Sequence, residues 1–567
     1  MSDKRLKVVL CWHMHQPQYR DTASGQYQLP WTYLHAMKDY IDMAAILEAH
    51  EGATAVVNFA PILLEQIDDY AQQLKGFIAH GESIHDPLLA ALASPTLPNH
   101  VEQKIELVRQ CTRANEERLI TPNEDYARLV EIARMIDEKP AMLHYMHDQF
   151  VVDILVWYHL VWLAEETHRN NTEVQALVEK GRDFSVHDRQ QLVSIIADLI
   201  ASVIPRYKTL AEQGRIELSM NPYAHPIVPL MIDLNSTYDA MPEADLPGAR
   251  SYPKGEQRSR WHIEEGLAVF EKYFGMRPTG CWPSEGSVSN ETLSLLGDYK
   301  LSWAATGESV LRNSMAALQR SEEIETNHGL YKPYTVGESD VACFFRDDGL
   351  SDLIGFTYSN WHADDAVANL VGHIEHIASS CDNPEQHVVS IIMDGENAWE
   401  HYPNNGYYFL NALYEKLAGH PSLNLTTFSK CLGQGIEPAH MDSMQAGSWV
   451  YGTFSTWIGD PDKNRGWDLL IEAKRAYDVV MASKHLDKKD RDAATRQLAL
   501  CEGSDWFWWF GDYNPAEAVS DFEHLFRLHL AHLYAILGVE PPEALSHSFT
   551  HGSGKPEQGG AMRRGQA

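Results

Sequence analysis

The stretch Gly280-Cys-Trp-Pro-Ser-Glu-Gly-Ser-Val-Ser289 shows how this chain is built, and the later stretch Ile391-Ile-Met-Asp-Gly-Glu-Asn-Ala-Trp399 repeats its arrangement. In each stretch an apolar, strand-like run ends and an acidic residue soon follows, Glu285 in the first and Asp394 in the second. In α/β barrels the functional residues lie at the carboxyl ends of the strands. The two stretches therefore predict that Glu285 and Asp394 lie at the same end of a barrel.

Strand-like runs with long helical sequence between them recur along the chain. They cover residues 8–12, 55–59, 216–219, 280–282, 301–305, 341–345 and 388–393. Strands that alternate with helices form parallel sheets, because a parallel neighbour needs a crossover connection. The fold class predicted from these runs is α/β, with a parallel barrel of strands and helices.

Two regions and a tail are predicted around this barrel. The barrel region is expected to span residues 1–438 and to include a helical insertion at about 63–213, where apolar residues recur at helical spacing. Residues 439–545 contain two aromatic-rich loops joined by helical sequence, and they predict a C-terminal helical domain. Residues 546–567 are rich in Gly, Ser and charge without apolar periodicity, which predicts a disordered tail.

The charge and cysteine content of the chain exclude several classes of protein. Its 79 acidic and 46 basic residues give a formal net charge of −33, which repels phosphate backbones and anionic lipids. We therefore expect neither a nucleic-acid partner nor a membrane partner. The seven cysteines form no Cys-x-x-Cys pair, and the first residues lead into a strand without a signal-type segment. These features predict a cytoplasmic protein, and no motif calls for a cofactor.

The two acidic residues suggest a chemistry. Cleavage of an acetal between sugars requires a proton for the leaving oxygen and a negative group that faces the oxocarbenium-like carbon. Two carboxyl groups in different surroundings supply both, so Glu285 and Asp394 are the predicted catalytic pair of a glycosidase. Trp282 and Trp399 lie in the same two stretches and are predicted to stack on sugar rings.

Five segments, taken together, resemble the signature regions of glycoside hydrolase family 57. In chain order they are Trp12-His-Met-His-Gln-Pro-Gln-Tyr19, Gly214-Arg-Ile-Glu-Leu-Ser-Met-Asn-Pro-Tyr-Ala-His-Pro-Ile227, Cys281-Trp-Pro-Ser-Glu-Gly286, Met393-Asp-Gly-Glu396 and Gly503-Ser-Asp-Trp-Phe-Trp-Trp-Phe510. The resemblance implies an incomplete seven-stranded barrel with a helical C-terminal domain. It also implies a retaining reaction at α-glucosidic bonds, with Glu285 as the nucleophile and Asp394 as the general acid and base.

The pattern most resembles the bacterial α-amylase-like group of that family, which implies an α-glucan or a maltooligosaccharide as substrate. A 4-α-glucanotransferase or a branching-type transglycosylase is the alternative. The sequence does not distinguish hydrolysis from transfer or α-1,4 from α-1,6 bonds. It also does not indicate the preferred chain length of the substrate or the oligomeric state of the protein.

Further residues are predicted to line the substrate site. The resemblance places His15 and His225 against the sugar next to the cleaved bond, and it places Gly355, Trp449 and Asp505 at substrate-lining positions. Glu217 lies in a strand-like run and is predicted to hold the partners of the nucleophile or to contact the substrate directly. Arg346 is expected to keep a nearby carboxylate ionised or to pair with Asp347, Asp348 or Asp352. Most of the aromatic cluster at 506–510 is expected to be core between the two domains.

Two rival hypotheses remain. His13-Met-His15 resembles the strand-end histidine pairs of metal-dependent sugar hydrolases and deacetylases, although the chain shows no further ligand motif for the three protein ligands of a catalytic zinc. We therefore predict no metal. A non-catalytic glucan-binding barrel would be expected to lack one of the two carboxylates, and both are present.

Overall fold

The computed structural model describes residues 4–326, 328–483 and 485–554. Its strands form one connected sheet. Their bounds are β1 Leu6–Met14, β2 Ala55–Phe59, β3 Ile216–Met220, β4 Gly280–Cys281, β5 Trp303–Gly307, β6 Tyr334–Val336, β7 Ala342–Arg346, β8 Val388–Asp394, β9 Leu423–Thr426 and β10 Ala439–Met441.

Seven of these strands close into a parallel barrel, as predicted. The strand order is β1, β2, β3, β4, β5, β7 and β8, and β8 pairs again with β1 along seven residue pairs. The seam between β7 and β8 is much shorter, with Arg346 opposite Ser390. All seven strands correspond to the seven runs in the sequence, so their carboxyl ends meet at one end of the barrel.

The three remaining strands extend the sheet outside this ring. β6 is antiparallel to β7, β10 is parallel to β6, and β9 is parallel to the first residues of β1. The boundary that we placed after residue 438 lies too early for the sheet, because β10 begins at Ala439. Three-residue strands such as β6 and β10 carry too little periodic sequence to be detected as strands.

Alternating residues of the strands fill the interior of the barrel. They form a buried cluster separate from the main core, which includes Val9, Cys11, Val56, Trp282, Trp303, Ala305, Ala342, Phe344, Val388 and Ile392. The intervening residues, such as Leu10 and Val57, belong to the main core around the barrel. This division follows from the two-residue period of a strand, and it makes the interior of the barrel a packed core.

Helices surround the barrel and form the rest of the chain. Their bounds are α1 Trp31–Met37, α2 Asp39–Ala49, α3 Pro61–His80, α4 Pro87–Ala93, α5 Val101–Gln110, α6 Glu124–Glu138, α7 Asp148–Val161, α8 Glu165–Asn170, α9 Thr172–Lys180, α10 Val186–Glu212, α11 Val228–Ile232, α12 Gly255–Phe274, α13 Asn290–Asp298, α14 Glu308–Ala317, α15 Glu322–Thr326, α16 Asp348–Asp352, α17 Ala363–Ser380, α18 Tyr407–Leu417, α19 Phe428–Gly433, α20 Pro461–Ser483, α21 Lys488–Cys501, α22 Asp505–Trp509 and α23 Ala516–Leu537. None of the helices in the described residues is both long enough and apolar enough to span a membrane.

The segment between β2 and β3 is helical, as expected for the insertion, and contains α3 to α10. Its longest helix, α10, begins at a capping box: the Ser185 side chain accepts from the Asp188 backbone N–H, and the Asp188 carboxylate accepts from the Ser185 N–H. Both interactions satisfy backbone groups that lack a partner within the helix. The capping box therefore fixes the start of the last helix of the insertion.

A buried ion pair fastens the C-terminal helices to the barrel. Arg258 of α12 donates to both carboxylate oxygens of Glu502, which follows α21, and His262 lies 2.8 Å from the same carboxylate. Burial alone would raise the pKa of Glu502, but Arg258 and His262 lower it to about 2. Loss of one partner would leave a buried charge unpaired, which is strongly destabilising.

The beginning of the predicted tail, residues 546–554, contacts the C-terminal helices. Phe549 packs its ring 5.0 Å from that of Phe510, and Thr550 donates a hydrogen bond of 2.7 Å to Asp462. Ser553 and Gly554 add backbone hydrogen bonds to Asp512 and Asn514, so this polar stretch is held by several contacts that composition does not indicate. The rest of the predicted tail, residues 555–567, lies outside the described residues.

Candidate active site

A cleft of about 460 Å³ opens at the carboxyl ends of the barrel strands, and both Glu285 and Asp394 line it. Glu285 lies in a one-turn 3-10 helix just after β4, and Asp394 is the last residue of β8. The two strands run parallel in the same ring, so their ends deliver both side chains to the same side. The juxtaposition predicted from the two sequence stretches is therefore present.

Glu285 has an unusual backbone conformation. Its φ is +58°, in the left-handed region that residues with a side chain seldom adopt, and Gly286 follows with φ +57°. A later part of the chain holds this tight turn, since the Trp449 backbone N–H donates to the Glu285 carbonyl over 3.1 Å. Strained backbone of this kind persists where surrounding structure fixes it, often at functional sites.

Contacts to the Glu285 carboxylate come from distant parts of the chain. The indole N–H of Trp449 donates to its Oε2 over 3.0 Å, and His225 Nδ1 lies 3.9 Å from its Oε1. The Glu285 side chain is mostly shielded from solvent. A carboxylate whose direction is fixed by a hydrogen bond is prepared to act as a nucleophile.

Asp394 has the surroundings of a proton donor. Burial raises the pKa of its carboxyl to about 6, and this rise is only partly opposed by the hydrogen bond from Asn397 and by the nearby His15 and Arg346. The Asn397 side chain donates to Asp394 Oδ2 over 2.9 Å. A carboxyl group with a pKa near neutrality can hold a proton and release it during a reaction.

Glu396 lines the cleft as well, although it is not among the predicted site residues. Its Oε1 accepts from the His15 backbone N–H and from the Gln16 side chain, whereas its Oε2 is buried without a hydrogen-bond partner among the described residues. Burial, together with the neighbouring Asp394, raises the pKa of Glu396 well above its ordinary value. The Asp-Gly-Glu spacing was the signal for this residue, because it places a second carboxyl directly after the strand end.

Three histidines stack beside Glu285 and Asp394. The ring of His15 lies 3.8 Å from that of His225 and 5.7 Å from that of His13, and all three rings are nearly parallel. Burial is the main cause that lowers the pKa of His13 to about 3 and the pKa of His225 well below its ordinary value. His13 and His225 are therefore neutral at neutral pH and suited to hydrogen bonding with uncharged groups.

Asp505 joins this stack from the C-terminal helices. It is the first residue of α22, and both of its carboxylate oxygens accept from His15 Nε2, at 2.9 and 3.0 Å. His225 is held from the same side, because its Nδ1 lies 2.8 Å from the Ser504 hydroxyl. His15 and Asp505 line the cleft as predicted, and His225 packs directly beneath His15.

His15, His225 and Asp505 also have the residue types of a metal site, and their ligand atoms lie within 4.8 Å of one another. The two imidazole rings are stacked with 17° between their planes, however. Stacked rings direct their in-plane lone pairs side by side, whereas a tetrahedral metal needs them to converge. In this arrangement the cluster is a hydrogen-bonding group, and chelation would require a ring to rotate.

Aromatic side chains from three parts of the chain form the walls of the cleft. They are Trp31 of α1, Trp162 after α7, Trp449, Trp508 and Trp509 of α22, and Phe522 of α23. Trp508 and Trp509 belong to the aromatic cluster at 506–510, whose members Trp506, Phe507 and Phe510 are buried in the core as expected. Helical periodicity alone did not distinguish Trp162 from a core residue.

At the rim of the cleft, an ion-pair cluster joins the helical insertion to the C-terminal helices. Arg113, which follows α5 in the insertion, donates to Asp521 of α23 over 3.0 Å and also pairs with Glu517. All three residues line the cleft. The helical insertion and the C-terminal helices are thus connected across the opening.

The tryptophans of the two opening stretches do not line the cleft, contrary to expectation. Trp282 lies inside the barrel below the site, with its ring 5.3 Å from that of Trp449. Trp399 is folded back so that its indole N–H donates to the Gly395 carbonyl, and its ring packs on Trp12. Both indoles are buried. They support the site from beneath, because the turns that carry them reverse toward the core.

Glu217 lies at the opposite end of the barrel from the site. It is the second residue of β3, so its position is near the amino end of the strand. Its carboxylate accepts from the Trp303 indole over 2.6 Å and from the Ser429 backbone N–H over 3.0 Å. Our prediction that Glu217 holds partners of the nucleophile was wrong, because the prediction did not consider which end of the strand carries the residue.

Arg346 and Gly355 also lie behind the site. Arg346 is buried and paired with Asp348 and Asp352, as the alternative prediction stated, and its guanidinium lies 5.5 Å from the ring centre of Trp449. It acts on the site at a distance, since its charge opposes the rise in the pKa of Asp394.

Gly355 packs near Met393 in a helical turn, away from the cleft surface. The resemblance places Gly355 only by its position within loops, where a shift of a few residues changes which residue faces the cleft.

Comparisons with known proteins agree with this architecture. The sequence model described as glycosyl hydrolase family 57 matches residues 9–441. No curated protein matches the chain. Similar solved structures include a branching enzyme of this family from Thermococcus kodakaraensis, with 15% identity, a TM-score of 0.58, and 94% of this chain and 90% of that chain covered.

Two further structures share the fold. The α-amylase AmyC from Thermotoga maritima has 15% identity and a TM-score of 0.56, with 94% of this chain and 93% of that chain covered. A 4-α-glucanotransferase from Thermococcus litoralis has 13% identity and a TM-score of 0.51, with 94% of this chain and 60% of that chain covered. At these identities the likeness extends to the fold alone.

Proposed function

Because the chain belongs to glycosyl hydrolase family 57, we propose that it is a retaining enzyme acting on α-glucosidic bonds of α-glucans or maltooligosaccharides. Glu285 is the nucleophile and Asp394 is the general acid and base. The observation that carries the proposal is that these two carboxyl groups, from the ends of β4 and β8, line one cleft with aromatic walls. Aromatic faces and hydrogen-bonding groups together are what a neutral sugar chain requires.

The first step forms a covalent intermediate. A carboxylate oxygen of Glu285 attacks the anomeric carbon, and the bond from that carbon to the glycosidic oxygen breaks. Asp394 gives its proton to that oxygen, so the leaving chain departs as an alcohol. The pKa of Asp394, raised to about 6 chiefly by burial, supports this donor role.

The second step releases the sugar with its original configuration. Asp394, now ionised, takes a proton from the attacking hydroxyl, and the oxygen displaces Glu285 from the anomeric carbon. If water supplies the hydroxyl, the reaction is hydrolysis. If a second glucan chain supplies it, the reaction is transfer.

The histidine stack orients the sugar during these steps. The His13 and His225 imidazoles are neutral, and His15 is fixed by Asp505 on one side of its ring, so that the stack presents directed hydrogen-bonding groups beside Glu285. Nδ1 of His15, which lines the cleft, lacks a partner among the described residues, and a sugar hydroxyl would satisfy it. No metal takes part in this scheme, and treatment with a chelator is expected to leave the activity unchanged.

Transfer is the second candidate function. The similar structures include a branching enzyme and a 4-α-glucanotransferase as well as an amylase. Tryptophans on both walls of the cleft favour a bound acceptor chain, which would compete with water for the intermediate.

For the location we propose the cytoplasm, because all seven cysteines are buried and free, as is usual in a reducing compartment.

Product analysis tests the proposal. The protein is incubated separately with maltoheptaose and amylopectin, and the products are separated by chain length while new reducing ends are counted. Shorter chains with new reducing ends indicate hydrolysis, whereas longer chains without a net gain indicate transfer. Glu285→Gln should abolish either activity without unfolding the protein, and Glu291→Gln, the same change on the surface of α13, should not. A wild-type protein inactive on both substrates, or an active Glu285→Gln variant, would contradict the proposal.

A further inference from the structure

The cleft contains a second polar group of side chains that the reaction does not use. His35 comes from α1, Trp162 directly follows α7, and Glu400 lies in the turn after β8. We propose that these three residues form a sugar-binding subsite for a glucose unit away from the cleaved bond. The inference rests on the proposed function and specifies how a longer chain is recognised.

His35 is held in one orientation from below. Its Nδ1 lies 2.6 Å from Oδ2 of Asp39, the first residue of α2, and Asp39 is fully buried. Because a carboxylate only accepts hydrogen bonds, the Nδ1 side of the ring carries the proton. The other ring nitrogen, Nε2, is directed toward Glu400 and lies 3.8 Å from its Oε1, which is longer than a hydrogen bond.

His35 is supported by a buried ion pair between Lys38 and Asp39, and removing these two charges from water costs free energy. Lys38 places its ammonium 2.5 Å from Oδ1 of Asp39 and also donates to Asn405 over 2.8 Å. Lys38 and His35 hold the pKa of Asp39 below its ordinary value although burial alone raises it. An ion pair in such a position is often no more stabilising than apolar side chains of the same size. Its specific effect here is to fix a histidine at the cleft wall.

Trp162 adds an unsatisfied donor to the same place. Its ring packs edge-on against His35 at 5.6 Å, and the ammonium of Lys38 lies 5.2 Å from its ring centre. The indole N–H of Trp162 is buried and has no hydrogen-bond partner within the described residues. A buried donor without a partner costs free energy, so a ligand oxygen that accepts from it would be bound favourably.

The three groups together match the hydroxyls of a neutral sugar. The indole N–H is a donor and the carboxylate of Glu400 is an acceptor, and His35 Nε2 lies 3.8 Å from that carboxylate in the lining of the same cleft. A sugar hydroxyl both donates and accepts, so neighbouring hydroxyls of one glucose unit can bond to such a set. An anionic ligand is disfavoured, because Glu400 faces the site and the charge of Lys38 is already paired with Asp39.

Two of the three residues come from parts of the chain that do not carry the catalytic pair. His35 lies in α1 and Trp162 directly follows α7, whereas Glu285 and Asp394 lie at or just after the ends of barrel strands. On this proposal, a substrate with a single glucose unit beside the cleaved bond leaves the subsite empty. The dependence of the rate on substrate length then reports on the subsite separately from the chemistry.

Kinetics with a long and a short substrate test the proposal. Trp162→Phe removes the N–H and keeps a ring, and Glu400→Gln changes the acceptor; the long substrate is maltoheptaose and the short one is an aryl α-glucoside. We expect each variant to lower kcat/KM for maltoheptaose by roughly tenfold, the value of one hydrogen bond to a buried or charged group. The rate on the short substrate should stay within twofold. Glu415→Gln, on the exposed face of α18, is the matched control for Glu400→Gln.

His35→Ala is the third variant, and the other two decide the outcome if it fails to fold. Equal losses on both substrates would overturn the proposal, because the residues would then act through the catalytic pair. Unchanged rates on both substrates would overturn it as well. A wild-type protein inactive on both substrates would instead contradict the proposed function itself, and the two failures are thereby distinguishable.

Discussion

The indole N–H of Trp449 donates a hydrogen bond of 3.0 Å to Oε2 of Glu285. The two residues come from separate parts of the chain, and the Trp449 backbone N–H also donates to the Glu285 carbonyl. Trp449 lies beyond residues 9–441, the part of the chain that the family model matches. The C-terminal segment thus completes the site, since it fixes both the backbone and the carboxylate of the proposed nucleophile.

Replacement of Trp449 by Phe tests this relationship. The ring is retained while the hydrogen bond to a charged acceptor, typically worth about 1.5 to 3 kcal/mol, is lost. We expect kcat to fall by roughly tenfold or more, because the carboxylate is no longer held in one direction. Steady-state kinetics on maltoheptaose measure the effect, and Trp361→Phe, at an exposed tryptophan, is the matched control. A Trp449→Phe variant with wild-type kcat would show that the bond is dispensable.

The pH dependence of the rate should report on Asp394. Its pKa is raised to about 6, mainly by burial, and the protonated form is the one that donates. The kcat/KM for maltoheptaose is therefore expected to fall as the pH rises through about 6. An aryl α-glucoside with a good leaving group needs less protonation and should show a weaker decline. Identical alkaline limbs for the two substrates would argue against Asp394 as the donor.

The same pKa predicts how Asp394 affects folding. A carboxyl whose pKa is higher in the folded state than in the unfolded state adds stability below the unfolded value, and this contribution is lost as the pH rises through the folded value. The change from 3.8 to about 6 corresponds to up to about 3 kcal/mol. Asp394→Asn should therefore unfold at higher denaturant concentration than the wild type at pH values above 6, with little difference near pH 4. A less stable variant at high pH would contradict the assignment of a buried, neutralised carboxyl.

Much of this architecture could be predicted from the sequence, because strands with helices between them have few ways to pair. All seven barrel strands were identified, and the acidic residues after β4 and β8 followed from where parallel strands end. His15 and Asp505 also lie in the cleft as predicted. These successes concern positions whose location depends on strand direction or on a distinctive motif.

The remaining errors concern side-chain direction and distant segments. Trp399 follows Asp394 closely, yet its turn reverses and buries the ring against Trp12. His35 and Trp162 come from different helices and meet only through packing, which no periodic pattern reveals. A pattern indicates which face of an element is apolar, but it does not indicate which neighbouring element covers that face.

Replacement of Glu217 tests the conclusion that this residue lies outside the active site. Its carboxylate accepts hydrogen bonds from Trp303, Thr279 and Ser429 at the amino end of the barrel. We expect Glu217→Gln to lower the midpoint of thermal unfolding while kcat and KM at a permissive temperature stay near wild type, because the residue lies outside the cleft. Thermal unfolding and kinetics on the same preparations measure both effects. A loss of kcat without a loss of stability would show that Glu217 does contribute to catalysis.

The central claim is that Glu285 is the nucleophile and Asp394 the acid and base, and rescue by azide tests it most directly. Asp394→Ala and Glu285→Ala are each given an activated α-glucosyl substrate with azide, and NMR determines the anomeric configuration of the glucosyl azide. In the Asp394→Ala variant azide should attack the covalent intermediate and give the α-azide. In the Glu285→Ala variant it should occupy the space of the missing carboxylate and give the β-azide or no product. A β-azide from the residue-394 variant together with an α-azide from the residue-285 variant would contradict the account, because the two roles would be reversed.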